Sequence, residues 1–206
     1  MTGVKICGIR RREDAELAVE LGAWALGFIF HRASPRWIAP EDAAPIVRGI
    51  AGRALAVGVF VDWPLDDLNR IVAECGLSAA QLHGTESVEY CAGVRAGEVW
   101  KAFRVGGGFV PGVVEPFADC ARVLLDTHRQ DAAGGTGETF DWSLARRVAE
   151  RRPIVLAGGI GPDNVARAIA EVGPESVDVS SGVEVAPGIK SEEKMRRLFA
   201  ALEARI

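Results

Sequence analysis

Residues that can donate or accept protons stand where apolar runs of this sequence end. Cys7 closes the first such run, Gln81 and His83 the fourth, and Asp126 the sixth. A thiolate can remove a proton from carbon and a carboxylic acid can donate one, so Cys7 and Asp126 could together carry acid–base chemistry. Taken singly, each has an ordinary explanation, because a strand cysteine is usually a small buried residue and an aspartate after a strand often caps a helix.

The eighth apolar run adds three more polar side chains, Asp178, Ser180 and Ser181. Side chains alternate along a strand, so Lys5 should face the same side as Cys7, and Asp178 the same side as Ser180. An ammonium group beside a thiol favours the thiolate, and Lys5 is therefore expected to lower the pKa of Cys7.

The elements that position these residues follow from a regular alternation. Short β-branched runs alternate with segments of helical period, and the strand-like runs begin at residues 4, 24, 54, 79, 98, 122, 153 and 176. Helical segments follow them, and the segments 12–22, 64–76 and 162–173 each end in a glycine suited to a C-cap. The sequence therefore predicts eight strand–helix units.

Strands that alternate with helices form parallel sheets with right-handed crossovers. Eight units in 206 residues fit an α/β fold of the closed (β/α)₈ TIM-barrel type, with an open doubly wound sheet as the alternative. Without a linker or low-complexity stretch, residues 1–206 are expected to form one domain. Active sites of such barrels lie at the C-terminal ends of the strands, where the polar residues described above converge.

Glycines follow the last two strand-like runs. Gly158 and Gly159 come after the seventh, and Gly182 follows Ser180 and Ser181 after the eighth. Barrels often bind phosphate at this place through backbone N–H groups. These five residues are therefore predicted to bind a phosphate group, although glycines in tight turns would give the same pattern.

A third group of glycines lies in the polar segment “DAAGGTGETFDW”, which begins at residue 131, shortly after Asp126. Gly134, Gly135 and Gly137 would give this loop conformational freedom. Loops of this kind often close over a barrel site and exclude water. We therefore expect this segment to cover the site.

Composition excludes several function classes. The net charge is −4 with both signs interspersed, which predicts no nucleic-acid partner. No apolar run approaches the roughly 18 residues of a membrane span, and no signal-peptide pattern is present, so a cytoplasmic protein without a membrane partner is expected. Four cysteines without metal-ligand spacing predict free thiols and no metal site: Cys7, Cys75, Cys91 and Cys120.

Seven segments spread over nearly the whole chain carry a family resemblance. “VKICGIRRREDA”, “GFIFHRASPRWI”, “QLHG”, “LLDT”, “GGTGETFDW”, “LAGGIGPDNV” and “DVSSGVEVAPGIK” together resemble the phosphoribosylanthranilate isomerases of tryptophan biosynthesis. The resemblance implies an aldose–ketose isomerase that converts N-(5-phosphoribosyl)anthranilate into 1-(2-carboxyphenylamino)-1-deoxyribulose 5-phosphate by an Amadori rearrangement. It implies a phosphorylated small-molecule substrate, no cofactor, and a monomer or homodimer.

The resemblance also implies roles for particular residues. The family's general base falls on Cys7 and its general acid on Asp126, and the arginine that receives the anthranilate carboxylate falls on Arg36. A planar guanidinium suits a carboxylate because it can bind both oxygens. Three further residues are expected to contact the substrate: Lys5, His83 and Asp178.

Two other functions remain open at this point. The first is another sugar-phosphate barrel, such as the histidine-pathway aminoaldose isomerase, a bifunctional relative or an epimerase. Those isomerases resemble a doubled half-barrel and have an aspartate as the base on the first strand, a position that is Cys7 in this sequence. A binding or regulatory protein that kept the barrel and lost the chemistry is the other. Against it, both proton-transfer residues are present together with the glycine-rich loop.

Overall fold

The computed structural model describes residues 2–106, 108–126 and 142–203. Eight parallel strands close into a barrel, in which each strand pairs with the next and the last pairs with the first. The strands are β1 (Gly3–Cys7), β2 (Ala25–Ile29), β3 (Leu55–Phe60), β4 (Ala79–Leu82), β5 (Glu98–Arg104), β6 (Arg122–Asp126), β7 (Ile154–Ala157) and β8 (Ser176–Val179). The predicted (β/α)₈ TIM barrel is confirmed, and the open sheet is excluded.

Helices on the outside of the barrel connect successive strands. In the described ranges the α-helices are α1 (Arg12–Glu20), α2 (Pro40–Ile50), α3 (Leu65–Cys75), α4 (Val88–Ala92), α5 (Ser143–Ala149), α6 (Val165–Val172) and α7 (Glu192–Glu203). A short hairpin, β9 (Glu184–Ala186) and β10 (Ile189–Lys190), precedes α7.

One connection differs from the expected α-helix. A 3₁₀-helix, Pro111–Phe117, follows β5. Pro116, inside this segment, lacks the backbone N–H that an α-helix needs, and Gly112 weakens helix propensity further. The connection from β5 to β6 is therefore a 3₁₀-helix, which is wound more tightly than an α-helix.

The inner face of the barrel changes from apolar to polar along the strands. Trp100 lies in the lower interior, stacked on Trp24, and smaller apolar side chains surround it, among them Ala79 of β4 and Leu124 of β6. Because side chains alternate, the next inward positions on these two strands are Gln81 and Asp126. The same alternation that packs the lower interior thus delivers polar groups to its C-terminal end.

The N-terminal end of the barrel is closed by ion pairs and aromatic rings. Arg122 at the start of β6 donates from Nε to Glu175 Oε2 at 2.9 Å and also pairs with Glu98. Its guanidinium lies 4.8 Å from the ring centroid of Trp24 and 5.4 Å from that of Trp100. These contacts close the end opposite the predicted site.

No helix in the described ranges is long and apolar enough to cross a membrane.

Candidate active site

A cavity of about 410 Å³ lies at the C-terminal ends of the barrel strands, a size within the usual range for small-molecule sites. Its lining consists of Cys7, Ile29, Arg36, Val59, Gln81, His83, Asp126, Ala157, Gly158, Gly159, Ile160, Asp178, Ser180 and Ser181. A larger cavity, about 570 Å³, lies between the 3₁₀-helix and α5 and contains none of the residues predicted from sequence. The chemistry-bearing side chains thus meet in the first cavity.

Cys7 and Lys5 lie side by side on β1 against a glycine of β2. A Cβ atom added to Gly27 would stand 2.6 Å from Cys7 Sγ and 3.0 Å from Lys5 Nζ. Glycine is therefore required at this position, because any side chain would displace the thiol or the ammonium group. The absence of a side chain at Gly27 is what allows these two groups to lie next to each other.

Lys5 is completely buried and forms an ion pair with the neighbouring strand. Its Nζ donates to Asp178 Oδ2 at 2.9 Å, and the two residues are register partners between β1 and β8. The other oxygen, Asp178 Oδ1, is buried and has no hydrogen-bond partner among the described residues. Lys5 does not line the cavity. This position argues against direct substrate contact by Lys5 and favours an effect on its neighbours.

The pKa of Cys7 lies above its ordinary value, despite the lowering effect predicted for Lys5. Burial of the thiol is the main cause, and the negative charge of Asp178 adds to it. Lys5 and Lys190 act in the opposite direction, as the sequence predicted for Lys5, but they do not outweigh burial. Burial also opposes the charge on Lys5, yet Asp178 and Cys7 hold the pKa of that lysine above its usual range. Lys5 therefore remains charged beside a mostly protonated thiol.

A chain of polar contacts connects β4 with β6. Gln81 Nε2 lies 3.2 Å from His83 Nδ1, and His83 Nε2 lies 3.4 Å from Asp126 Oδ2. Gln81 is almost completely buried, whereas the side chains of His83 and Asp126 are about one-fifth to one-quarter exposed at the cavity, 21 % and 24 %. The Asp126 carboxylate is thus accessible to a ligand, and His83, which Gln81 contacts in turn, lies beside it.

Arg36 reaches the cavity as part of a three-residue charge cluster. Its Nε donates to Glu184 Oε1 at 3.0 Å, and its Nη2 donates to Oε2 at 2.7 Å. Lys190 Nζ donates to the same carboxylate at 2.8 Å and also to the Cys7 backbone carbonyl. Burial alone would raise the pKa of Glu184, but the bonds from Arg36 and Lys190 outweigh it and hold the pKa below its usual range. With two cations and one anion, the cluster carries a net positive charge beside the cavity.

The two loops predicted to bind phosphate lie at the cavity and approach each other closely. Gly158 and Gly159 have φ values of +93° and +66°, in the left-handed region that favours glycine. A Cβ atom on Gly182 would stand 2.1 Å from the Ile160 carbonyl oxygen, so only glycine permits this contact. Gly158, Gly159, Ser180 and Ser181 line the cavity, and Gly182 lies behind them in the contact between the two loops. Gly134, Gly135 and Gly137 fall outside the described residues.

Sequence reasoning missed three charged residues near this cavity. Glu184 and Lys190 belong to the β9–β10 hairpin, and Glu184 lies 148 positions from its partner Arg36. No local pattern could have paired them. Arg104 is exposed at the end of β5, in register with Asp126; alternation from Trp100 would have placed it at the mouth.

Within the described part of the chain, no group of three or more histidine, cysteine, aspartate or glutamate residues is arranged to hold a metal ion.

Comparisons with known proteins agree with one another. The family model for N-(5'-phosphoribosyl)anthranilate isomerase matches residues 4–201. A relative of that name from Citrifermentans bemidjiense is 52% identical over 200 residues, which cover 97% of this chain and 96% of the relative. Another from Geobacter metallireducens is 45% identical over 99% of this chain and 100% of its own length.

Solved structures give the same result. The phosphoribosylanthranilate isomerase from Thermus thermophilus superimposes with a TM-score of 0.88 at 42% identity, covering 100% of both chains. A phosphoribosylanthranilate isomerase in complex with reduced 1-(o-carboxyphenylamino)-1-deoxyribulose 5-phosphate gives 0.88 at 38% identity, covering 99% of this chain and 100% of the other. The chain therefore belongs to the N-(5'-phosphoribosyl)anthranilate isomerase family.

Proposed function

We propose that Cys7 is the general base and Asp126 the general acid with which this chain converts N-(5'-phosphoribosyl)anthranilate into 1-(2-carboxyphenylamino)-1-deoxyribulose 5-phosphate, the isomerase step of tryptophan biosynthesis. The observation that carries the proposal is that a thiol beside a buried ammonium and a carboxylate beside an imidazole face one cavity. The imine formed on ring opening accepts the electron pair released at C2, so two proton-transfer groups suffice for this isomerisation without a cofactor.

The first step is opening of the furanose ring. Asp126 donates a proton to the ring oxygen as the bond to C1 breaks, and the nitrogen lone pair forms the imine. An unperturbed aspartic acid is only about one part in a thousand protonated at neutral pH, which corresponds to a deficit of about 4 kcal/mol. The phosphate and carboxylate of a bound substrate would reduce this deficit, because nearby negative charge favours the protonated acid.

The second step moves a proton between two carbons. The Cys7 thiolate removes the proton from C2, and the electron pair moves into the imine to form an enaminol. Protonation at C1 and loss of the enol proton then give the ketone. Because burial raises the pKa of Cys7, the thiolate is a minority species, and Lys5 offsets part of that cost.

Both ends of the substrate are anionic, and the positive charge around the cavity suits them. Arg36 is proposed to bind the anthranilate carboxylate through the guanidinium edge that Glu184 leaves open, since Glu184 occupies Nε and Nη2. The loops that contain Gly158, Gly159 and Gly182 are proposed to bind the phosphate. His83 and Asp178 are proposed to contact the sugar between these ends.

Turnover of phosphoribosylanthranilate by the purified chain tests the proposal directly. The substrate fluoresces and the product does not, so activity appears as a loss of fluorescence. In D₂O, one deuterium should appear at C1 of the product by NMR. Absence of turnover at micromolar enzyme, or turnover of the histidine-pathway aminoaldose alone, would refute it.

We also propose that the chain acts in the cytoplasm as a monomer or homodimer. The relative from Thermotoga maritima is described as dimeric, with monomers generated from it. Sedimentation of this chain at micromolar concentration would decide between the two states.

A further inference from the structure

Gln81 occupies an unusual place below the catalytic cavity. It lies on β4, is 1 % exposed, and contributes to the cavity lining. Its two polar atoms have different surroundings. Nε2 contacts His83 Nδ1 at 3.2 Å, whereas Oε1 is buried and has no hydrogen-bond partner among the described residues. A buried acceptor without a partner is costly, so a ligand that supplies a donor would relieve that cost.

The contact with His83 fixes the direction of a hydrogen-bond chain. An amide nitrogen can only donate, so His83 Nδ1 must accept. The neutral imidazole then carries its proton on Nε2, which faces Asp126 Oδ2 at 3.4 Å. Gln81 thereby selects the tautomer that can donate to the proposed acid.

The unpartnered oxygen of Gln81 has a counterpart across the cavity. Asp178 Oδ1 is also buried and also lacks a partner among the described residues. Both atoms are acceptors, and both residues line the cavity. A ligand that fits them must offer donors between its anionic ends, and the hydroxyl groups of a ribose chain are such donors.

We propose that Gln81 is a positioning residue of the isomerase reaction: its amide nitrogen orients His83 toward Asp126, and its amide oxygen accepts a hydroxyl group of the ribose moiety. The inference rests on the proposed function for its substrate. The two contacts of one side chain would tie sugar binding to the orientation of the acid, and each contact has its own readout.

The orienting contact is tested with Gln81→Glu, which keeps the shape but replaces the donor by an acceptor. His83 Nδ1 must then carry a proton to bond with the carboxylate. The ¹⁵N spectrum of His83, measured without substrate, should show an unprotonated Nδ1 in the wild type and a protonated Nδ1 in Gln81→Glu. An Nδ1–H in the wild type would overturn the assigned direction, whether or not the enzyme turns over phosphoribosylanthranilate.

Kinetics separate orientation from simple structural support. Gln81→Met removes both hydrogen bonds and should lower kcat about 10- to 100-fold, whereas in a His83→Ala background the same change should have little effect on kcat. Equal losses in both backgrounds would show that Gln81 does not act through His83. Ser176→Ala is the matched control, since Ser176 is equally buried on β8 with an unpartnered hydroxyl but lies outside the cavity lining. Its kcat should stay at the wild-type level.

The hydroxyl contact is tested by binding of the reduced product analogue, which requires no turnover. Gln81→Met should weaken its binding about 3- to 10-fold, the usual range for one hydrogen bond. Two further analogues, each lacking one secondary hydroxyl, identify the group: for one of them the substitution should no longer matter. If Gln81→Met weakens all three analogues equally, or none of them, the proposed hydroxyl contact is wrong. Thermal unfolding confirms that the variant is folded; if it is not, the Gln81→Glu spectrum and the wild-type spectrum still decide the orientation.

Discussion

Two of the buried lysine–carboxylate pairs of the described residues, Lys101–Glu86 and Lys5–Asp178, differ in how completely their hydrogen bonds are satisfied. Lys101 of β5 pairs with Glu86 at 2.9 Å, and Lys5 of β1 pairs with Asp178 at the same distance. In both pairs the lysine is almost completely inaccessible to water. Their surroundings show which pair supports the fold and which one serves the site.

The Lys101–Glu86 pair uses nearly all of its bonding capacity. Lys101 Nζ donates to Glu86 and to the backbone carbonyls of Leu82 and Gly84. Glu86 accepts from the backbone N–H groups of Asp62 and Gly84 as well. These bonds connect the ends of β3, β4 and β5, so the pair stabilises the loops around His83 without needing a ligand.

The Lys5–Asp178 pair is incomplete. Lys5 bonds to one oxygen of Asp178 and contacts the Cys7 thiol, while Asp178 Oδ1 has no partner in the described ranges. Gln81 Oε1 and Ser180 Oγ, in residues that line the same cavity, are also buried without a hydrogen-bond partner among the described residues. Folding alone would favour full satisfaction of such groups. Three of the five unpartnered buried side-chain atoms in the described ranges belong to residues that line this cavity, and this concentration indicates a place that a ligand completes.

The largest effect is expected for Cys7→Ala. Removing the base should lower kcat about 10²- to 10⁴-fold, because a general base usually contributes that much, while the thermal unfolding temperature changes little. The control is Cys75→Ala, another buried thiol, on α3, which should keep its rate. A Cys7→Ala enzyme with near-normal kcat would remove Cys7 from the chemistry.

Asp126→Asn should also lower kcat about 10²- to 10⁴-fold, since an amide cannot donate the proton that opens the ring. Binding of the reduced product analogue, measured by calorimetry, should change by less than about tenfold. If the variant keeps its activity, the acid is another group, and His83 beside it is the next candidate.

The sequence predicted more of the fold than of the electrostatics at the site. The alternation of side chains along the strands predicted that Gln81, His83 and Asp126 lie at the C-terminal end of the barrel. A two-residue period can be recognised within one short strand, so this prediction needs no knowledge of distant residues. The bond between Arg36 and Glu184 joins positions 148 residues apart and has no local pattern. The effect of Lys5 on the Cys7 pKa could be predicted from the sequence, but the net direction could not, because burial outweighs the neighbouring charge and burial depends on packing around the whole barrel.

Lys101→Met should mainly cost stability. Leaving Glu86 charged and unpaired in a buried position is expected to lower the free energy of unfolding by about 3 to 5 kcal/mol, measured by urea denaturation. The kcat of the folded enzyme should stay within about threefold of the wild type. Arg196→Met, which breaks an exposed pair with Glu192, should cost less than about 1 kcal/mol. A large fall in kcat for Lys101→Met would contradict a purely structural role.

Lys5→Met should act on the rate through the thiol. Loss of a cation in contact with Cys7 raises the thiol pKa further, so the thiolate fraction and kcat at neutral pH should fall, though less than kcat falls in Cys7→Ala. Alkylation of Cys7 by iodoacetamide, followed by mass spectrometry, reports the thiolate directly. Its rate rises with pH through the thiol pKa, and the midpoint should move to higher pH in the variant. An unchanged midpoint would show that Lys5 does not affect the pKa of the Cys7 thiol.

Arg36→Met tests substrate identity rather than proton transfer. If Arg36 binds the anthranilate carboxylate, KM should rise more than kcat falls, because the contact is remote from the atoms that change bonding. One charge-assisted hydrogen bond contributes roughly 1.5 to 3 kcal/mol, so kcat/KM should fall about 10- to 100-fold, with poor rescue by Arg36→Lys.

The decisive comparison for Arg36 uses a substrate analogue without the carboxylate. Glu184 holds the Arg36 guanidinium in place and also binds Lys190, so Arg36→Met leaves Glu184 with one cation fewer. That structural cost would weaken both substrates equally, whereas loss of a carboxylate contact weakens only the full substrate. If the variant loses as much kcat/KM on the analogue as on phosphoribosylanthranilate, Arg36 stabilises the hairpin and does not bind the substrate carboxylate. The unsatisfied polar groups that await a ligand are then confined to the cavity around Asp178, Gln81 and Ser180.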